Sequence, residues 1–344
     1  MGHQSIKRKN TSELQRMTQK IKDILPMTDN LLEIVKASSV FNEAHIWSLK
    51  KLLLLKDYLK PYLNIISQRV STNCFYLDLF SGSGASKTKE GYRFIGSPLI
   101  SLLYGAFYVE SRNNIVRFKK WIFIEKDSKR CNALRKRVDI TVGIKNEEIK
   151  GLVQETKIIS NNDILIMCGD CNEKINKIIT LLEKYEGSKA CLLAFVDPEG
   201  FTDIRWETWR RLLKLRYVDI LFVLPTSGFK RNLSHPKIYE YLPPLNEGQK
   251  QKILDRSITC DDFVDIYAEG IRDIVGRTIR YYYKPIVRIS EGAELYRIIP
   301  FTHSEGATNA IEKIVNMLDK LSSKQLETII EQCLDRQKKL FENM

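Results

Sequence analysis

The chain has no apolar run of membrane-spanning length. Leu52–Leu55 is four leucines inside an amphipathic segment, where a span needs about 20 apolar residues. No apolar core follows the polar, basic stretch Met1–Asn10, so no signal peptide is expected and the expected location is cytoplasmic. Internal repeats and low-complexity tracts are missing as well. The seven cysteines are odd in number and scattered along 344 residues, which argues against a disulfide framework. Cys168 and Cys171 form a single C-x-x-C with no second pair and no histidine nearby, too few ligands for zinc, and no metal is expected. Glycine is missing at two informative places. Ser81–Thr88 reads SGSGASKT, with Lys87 and Thr88 placed as in a phosphate loop, but positions 81 and 86 are both serine. Without glycine there the amides lack the freedom to wrap a phosphate, which disfavours a nucleoside-triphosphate hydrolase.

What remains is a globular composition, 43% hydrophobic and 28% charged, on a chain long enough for a full core with additions. A net charge of +13 favours polyanionic partners, nucleic acid ahead of an anionic membrane. Arg112–Arg137 and Arg205–Arg231 concentrate the basic residues, whereas Ala307–Met344 is balanced.

The most informative stretch is Phe75–Gly84, FYLDLFSGSG. A short apolar run entering a glycine-rich turn predicts a buried parallel strand and a tight loop. Asp78 would repel a polyphosphate but suits a cationic or amine-bearing ligand. S-adenosylmethionine carries both a sulfonium and an ammonium, and D-x-F-x-G-x-G at a strand end looks like motif I of class I methyltransferases. Asp78, Phe80, Gly82 and Gly84 are therefore candidate cofactor residues. Ser97 and Pro98 open the next helix. Trp121–Ile124 predicts a second strand ending at Glu125, the first choice for ribose hydroxyls, with Asp127 second and Ser128 as the cap that follows. The distance from Gly84 to Glu125 is about twice that of the dinucleotide fingerprint, and the polar stretches Lys87–Arg93 and Ser111–Lys119 account for the excess. A third strand, Ile164–Met167, leads to Gly169 and Asp170, placed to accept from an adenine amine, while Asn172 is an alternative as the helix cap. Cys191–Val196 ends in Asp197-Pro198-Glu199-Gly200, similar to the D-P-P-Y-type motif that holds a target amine. Glu199 replaces the second proline, and Gly200 stands where an aromatic would stack. Asp197, Pro198 and Glu199 are the candidate catalytic residues.

Around these strands, Ser39–Gln68 predicts a helix that Pro61 would kink or divide, with His45 and Lys50 on it. Val218–Leu224 predicts a fifth strand, with Lys230 and Arg231 after it. Asn232–Gly276 reads as a helical insertion, Arg280–Ile289 and Leu295–Phe301 as a hairpin turning at Gly292, and Thr308–Leu321 and Ser323–Phe341 as helices. The expected fold is α/β, a Rossmann-like class I methyltransferase sheet of seven mostly parallel strands ending in an antiparallel hairpin. Residues 1–70 would form an N-terminal helical extension, 71–306 the core with its insertion near 232–276, and 307–344 the C-terminal helices.

The ordered set Asp78/Gly82/Gly84, Gly96-Ser97-Pro98, Glu125, Gly169-Asp170-Cys171-Asn172 and Asp197-Pro198-Glu199-Gly200, with His45 and Lys50 upstream and Phe301-Thr302-His303 downstream, resembles the three-Cys-motif partner proteins over roughly Phe41–Lys320. The resemblance implies a class I methyltransferase-like fold with S-adenosylmethionine as cofactor. It also implies a partner carrying a three-cysteine motif of the iron–sulfur type. Those cysteines belong to the partner, not to Cys168 and Cys171. Two functions follow as expectations: methyl transfer to an amine on nucleic acid or on a partner-associated substrate, or a non-catalytic partner subunit that binds the cofactor or nothing.

Overall fold

Short apolar runs that each stop at an acid, a glycine or a proline form the centre of a mixed α/β fold. In chain order the strands are β1 (Asn42–Glu43), β2 (Cys74–Asp78), β3 (Ala85–Lys87), β4 (Arg93–Ile95), β5 (Ala106–Val109), β6 (Asn114–Arg117), β7 (Lys120–Glu125), β8 (Ile164–Cys168), β9 (Cys191–Val196), β10 (Val218–Pro225), β11 (Arg280–Tyr281) and β12 (Tyr296–Thr302). The helices are α1 (Asp29–Lys36), α2 (Ser48–Arg69), α3 (Ser97–Tyr104), α4 (Ser128–Ile149), α5 (Cys171–Glu183), α6 (Trp206–Leu213), α7 (Glu247–Leu254), α8 (Cys260–Val275) and α9 (Glu305–Asp319). This computed structural model describes residues 15–69, 73–150, 158–185, 190–215, 217–226, 232–275, 280–281, 296–319, 328–333 and 335. Lys230, Arg231, the turn at Gly292, most of the first hairpin strand and most of Ser323–Phe341 lie outside the described residues.

The central sheet has the order β11-β12-β10-β9-β2-β7-β8. β8, β7, β2, β9 and β10 run parallel, while β12 is antiparallel to β10 and β11 to β12. From β2 the chain steps outward to β7 and β8, then returns to the other side of β2 for β9 and β10. The carboxyl ends of β2 and β9 therefore flank a topological switch point, where open α/β sheets leave a crevice. Strand side chains alternate between faces. Phe75 and Leu77 pack with Ile175, Trp209 and Tyr267 on one side, while Tyr76 packs with Leu63, Leu99 and Leu134 on the other. The two tryptophans of α6, Trp206 and Trp209, are core residues. None of the described helices is long and apolar enough to cross a membrane.

Several local expectations are corrected. The helix expected from Ser39 starts at Ser48, because Asn42–Glu43 pairs as β1 with β3 instead. Pro61 lies within that helix and does not divide it. Ala85–Phe94, a polar stretch whose composition reads as a loop extension, instead pairs β3 antiparallel with β4, and β5 pairs with β6 further on. The cap of α3 is Gly96 rather than Ser97. Asp127, not Ser128, caps α4, its carboxylate accepting the Arg130 N–H. Asp170, not Asn172, caps α5. In the last two cases an acid upstream, one residue before Ser128 and two before Asn172, holds the extended backbone that a cap needs. One pair of the scattered cysteines, Cys131 on α4 and Cys168 at the end of β8, forms a disulfide. This single bridge is not a disulfide framework; it forms because β8 lies beside β7, whose following helix α4 brings Cys131 next to the end of β8.

Candidate functional site

The first residues beyond β2, β7, β8 and β9 open into one crevice of about 770 Å³. Phe80 and Gly82 line it from the β2 turn, Glu125 and Asp127 from β7, Gly169 and Asp170 from β8, and Asp197, Pro198 and Glu199 from β9. Two further candidates do not line it. Gly84 sits deeper, its carbonyl accepting the Gly96 N–H at 2.7 Å, and an added Cβ would meet Leu134 and Leu99. Asp78 is fully buried beneath the turn.

The turn is held from below and behind. Asp78 Oδ1 accepts the Phe80 N–H at 3.1 Å, and Oδ2 has no hydrogen-bond partner among the described residues. Burial pushes the Asp78 carboxyl up to about 7, against the pull of the Ser97 hydroxyl and the Phe80 N–H, and the Asp197 and Glu125 charges push it the same way. Gly82 has φ +60°, and a Cβ built on it would lie 2.0 Å from Asn42 Nδ2. Asn42 Oδ1 in turn accepts the Ser83 N–H at 2.9 Å. Arg137, a buried guanidinium, donates to the Ser83 and Ser38 carbonyls at 2.7 Å each and faces the Phe41 ring at 4.7 Å. These contacts clamp the glycine turn to the segment before α2.

Glu125 accepts the Asp127 N–H at 2.7 Å, and burial raises its pKa above the ordinary glutamate range. Asp170 Oδ1 is occupied by the Asn172 N–H and Nδ2, both at 2.8 Å, while Oδ2 lies 3.3 Å from the exposed Lys126. Burial opposes ionisation of Asp170, but the two Asn172 donors and Lys126 together hold its pKa below the usual value. Asn172 serves the other side, accepting the Arg205 N–H and the Thr208 hydroxyl and donating to the Asp203 carbonyl.

At the β9 tip both acids face cations that the sequence reading had not singled out. Lys51 of α2 reaches Asp197 Oδ1 at 2.8 Å and Oδ2 at 2.6 Å. Arg130 of α4 reaches Glu199 at 3.0 Å, where Glu199 is 82% exposed. Pro198 is buried between them. Phe201 is buried in the core, so it does not replace the aromatic missing at Gly200. The ring near Asp197 belongs to Tyr296 at the start of β12, with Lys51 Nζ 5.6 Å from its centre. Tyr241 of the insertion completes the lining. His45 stacks on Trp47 and lies outside the crevice, as does Lys50. His303 donates its N–H to Asp219 at the opening of β10, the far end of that strand from the crevice. Carboxylates outnumber cations among the lining residues, in a chain whose total charge is strongly positive.

No family model matches the chain, and no curated protein does. Similar solved structures include a Legionella pneumophila str. Philadelphia 1 protein of family-model DUF519, at 12% identity over 78% of this chain and 92% of that chain, TM-score 0.43. An O-methyltransferase from Bacillus cereus in complex with SAH matches at 10% identity over 72% and 78%, TM-score 0.32. A point variant of MtNAS in complex with S-adenosylmethionine matches at 12% identity over 85% and 72%, TM-score 0.28. Likenesses this distant assign neither a ligand nor an activity to this chain.

Proposed function

We propose that the chain is an S-adenosylmethionine-dependent methyltransferase whose acceptor is an amine. The observation that carries this reading is the convergence of Glu125, Asp170 and Asp197, from the tips of three parallel strands, on one crevice beside a glycine turn. The order of the sheet, five parallel strands followed by a reversed edge pair, supports reading it as a class I methyltransferase sheet. The residues present fit a cationic adenosyl compound. The lining is rich in carboxylate, Gly82 borders it from the turn, and Asp78 lies buried beneath that turn.

In this reading Phe80 and the turn at Gly82 flank the methionine portion. Glu125, oriented by the Asp127 N–H, accepts from ribose hydroxyls. Asp170 Oδ2 accepts from the adenine amine. Asp78 supplies negative potential from beneath where the pH is above its raised value of about 7. When bound, the cofactor supplies a methyl group on a sulfonium. Asp197 with Pro198 holds the incoming amine, and Glu199 stands at the rim. Such a site works mainly by orientation, because a held nucleophile replaces a bimolecular encounter. The basic surface favours an amine on nucleic acid or on a partner-associated substrate.

A second reading rests on the pairing of Asp197 with Lys51 and of Glu199 with Arg130. With both acceptor-end acids already paired, the chain would bind the cofactor and serve as a subunit of a three-Cys-motif, iron–sulfur type protein. Isothermal titration with S-adenosylmethionine, followed by transfer of labelled methyl to total nucleic acid and cell protein, separates the readings. Binding that weakens about tenfold or more in Glu125→Gln, with transfer lost in Asp197→Ala while binding stays, supports the enzyme. Binding without transfer supports the subunit. No binding at all removes the enzyme and leaves only a subunit that binds no cofactor.

A further inference from the structure

The Lys51–Asp197 pair is neither a surface pair nor a fully buried one. Its side chains are 18% and 17% exposed, and both line the crevice. A lysine from a covering helix thus enters the site and ends on both oxygens of the strand-tip acid. The same ammonium lies over the Tyr296 ring at 5.6 Å, and that ring is fixed because its hydroxyl donates to the Trp47 carbonyl at 2.7 Å. A carboxylate and an aromatic face around one compact, strongly hydrated cation are what an alkylammonium needs in exchange for its water shell.

We propose that Asp197 and Tyr296 form a subsite for an aliphatic primary ammonium, and that Lys51 occupies it as a resident placeholder which an incoming alkylamine displaces. The inference rests on the reading above only in calling this amine the acceptor; the subsite itself needs no cofactor. It names the acceptor class as an alkylamine, such as a lysine side chain or a polyamine, rather than the flat exocyclic amine of a base; the amine docks as the ammonium and gives up one proton, to Asp197 or to water in the crevice, before its nitrogen has a lone pair to accept a methyl group. The resident group is tetrahedral and charged, and it meets the ring with its cation. A base would have to lie flat on the ring, and Gly200 offers no second ring to sandwich it.

The test is binding, read without any transfer step. n-Butylamine is titrated into the wild-type chain, Lys51→Met and Lys51→Met/Asp197→Asn, by calorimetry or by amide shifts, with thermal melts to verify folding. Methionine keeps the stem and the helix propensity while removing the charge. Expected is amine binding at least about tenfold tighter in Lys51→Met than in wild type, because one competing charge-assisted contact is gone. That gain should be lost in the double variant. A folded Lys51→Met that binds the amine no better than wild type overturns the proposal and leaves the pair as a structural tie. A gain that survives Asp197→Asn also overturns it, since the amine would then sit elsewhere. S-adenosylmethionine titrated into the same samples reads the proposed function separately, so either reading can fail without the other.

Discussion

Asp78 shows how one residue records the site's electrostatics. In an unfolded chain an aspartate ionises near pH 4, whereas burial pushes Asp78 up to about 7 in the fold. Between these values the folded chain holds a proton that the unfolded chain has released. Stability contributed by this group is therefore full below pH 4, declines as pH rises through about 7, and is level above that. Asp78→Asn removes the titration while keeping the shape. Expected is a variant more stable than wild type at pH 8 by on the order of 1–3 kcal/mol, with the gap closing toward pH 4.5. Denaturant melts across that range check it, and a gap independent of pH would contradict the burial argument.

The elements around the crevice were legible to different degrees. β2, β7, β8, β9 and β10 could be read because each is an apolar run stopped by Asp78, Glu125, Cys168, Asp197 or Pro225. The strand-tip acids could be read for the same reason. Caps could not, since Asp127-Ser128 and Asp170-Cys171-Asn172 offer several capping side chains in a row and only the backbone chooses. Lys51 was passed over for its neighbour Lys50. A usable signal was helical phase, for Lys51 lies one, two and three turns before Leu55, Tyr58 and Tyr62, all of them buried. Asn42 left no signal, because a two-residue strand has no periodicity. Arg137 looked like one more charge in a basic stretch, though its spacing from Leu134 puts it on the buried face of α4.

The clamp on the glycine turn gives the element-scale expectation. Gly82→Ala meets both a left-handed backbone and the Asn42 amide, and should abolish cofactor binding and cost about 1–2 kcal/mol from the backbone alone. Adding Asn42→Ala removes the clash but not the backbone cost, so the double variant should recover part of the stability. Chemical melts decide it, and a double variant no more stable than Gly82→Ala would show that Asn42 is not the obstacle. The Cys131–Cys168 disulfide closes a span of 37 residues between α4 and β8. Reducing it is expected to lower stability by about 2–4 kcal/mol, read as the difference between melts with and without a thiol reductant.

At the scale of the whole molecule, the helices before β2 are not a detachable cap. Met17, Ile24, Leu55 and Tyr62 share one apolar cluster with Tyr76, Phe123 and Leu193 of the sheet and with Ile311 of α9. Deleting residues 1–70 should therefore leave a chain without a cooperative thermal transition, since it strips one face of the sheet. The same segment brings Asn42 of β1 to the glycine turn and Lys51 of α2 to Asp197, so the cover and the site are one unit. A chain of net charge +13 holds a crevice in which acids predominate among the lining residues, and the proposed cationic ligand rests on that local reversal of sign.

Hydrogen–deuterium exchange with and without S-adenosylmethionine tests that convergence most directly. Expected is slowed exchange in four separate stretches at once, 79–84, 125–130, 169–172 and 197–203. Protection confined to one of them, or appearing only elsewhere on the chain, would contradict a single adenosyl crevice at the strand tips.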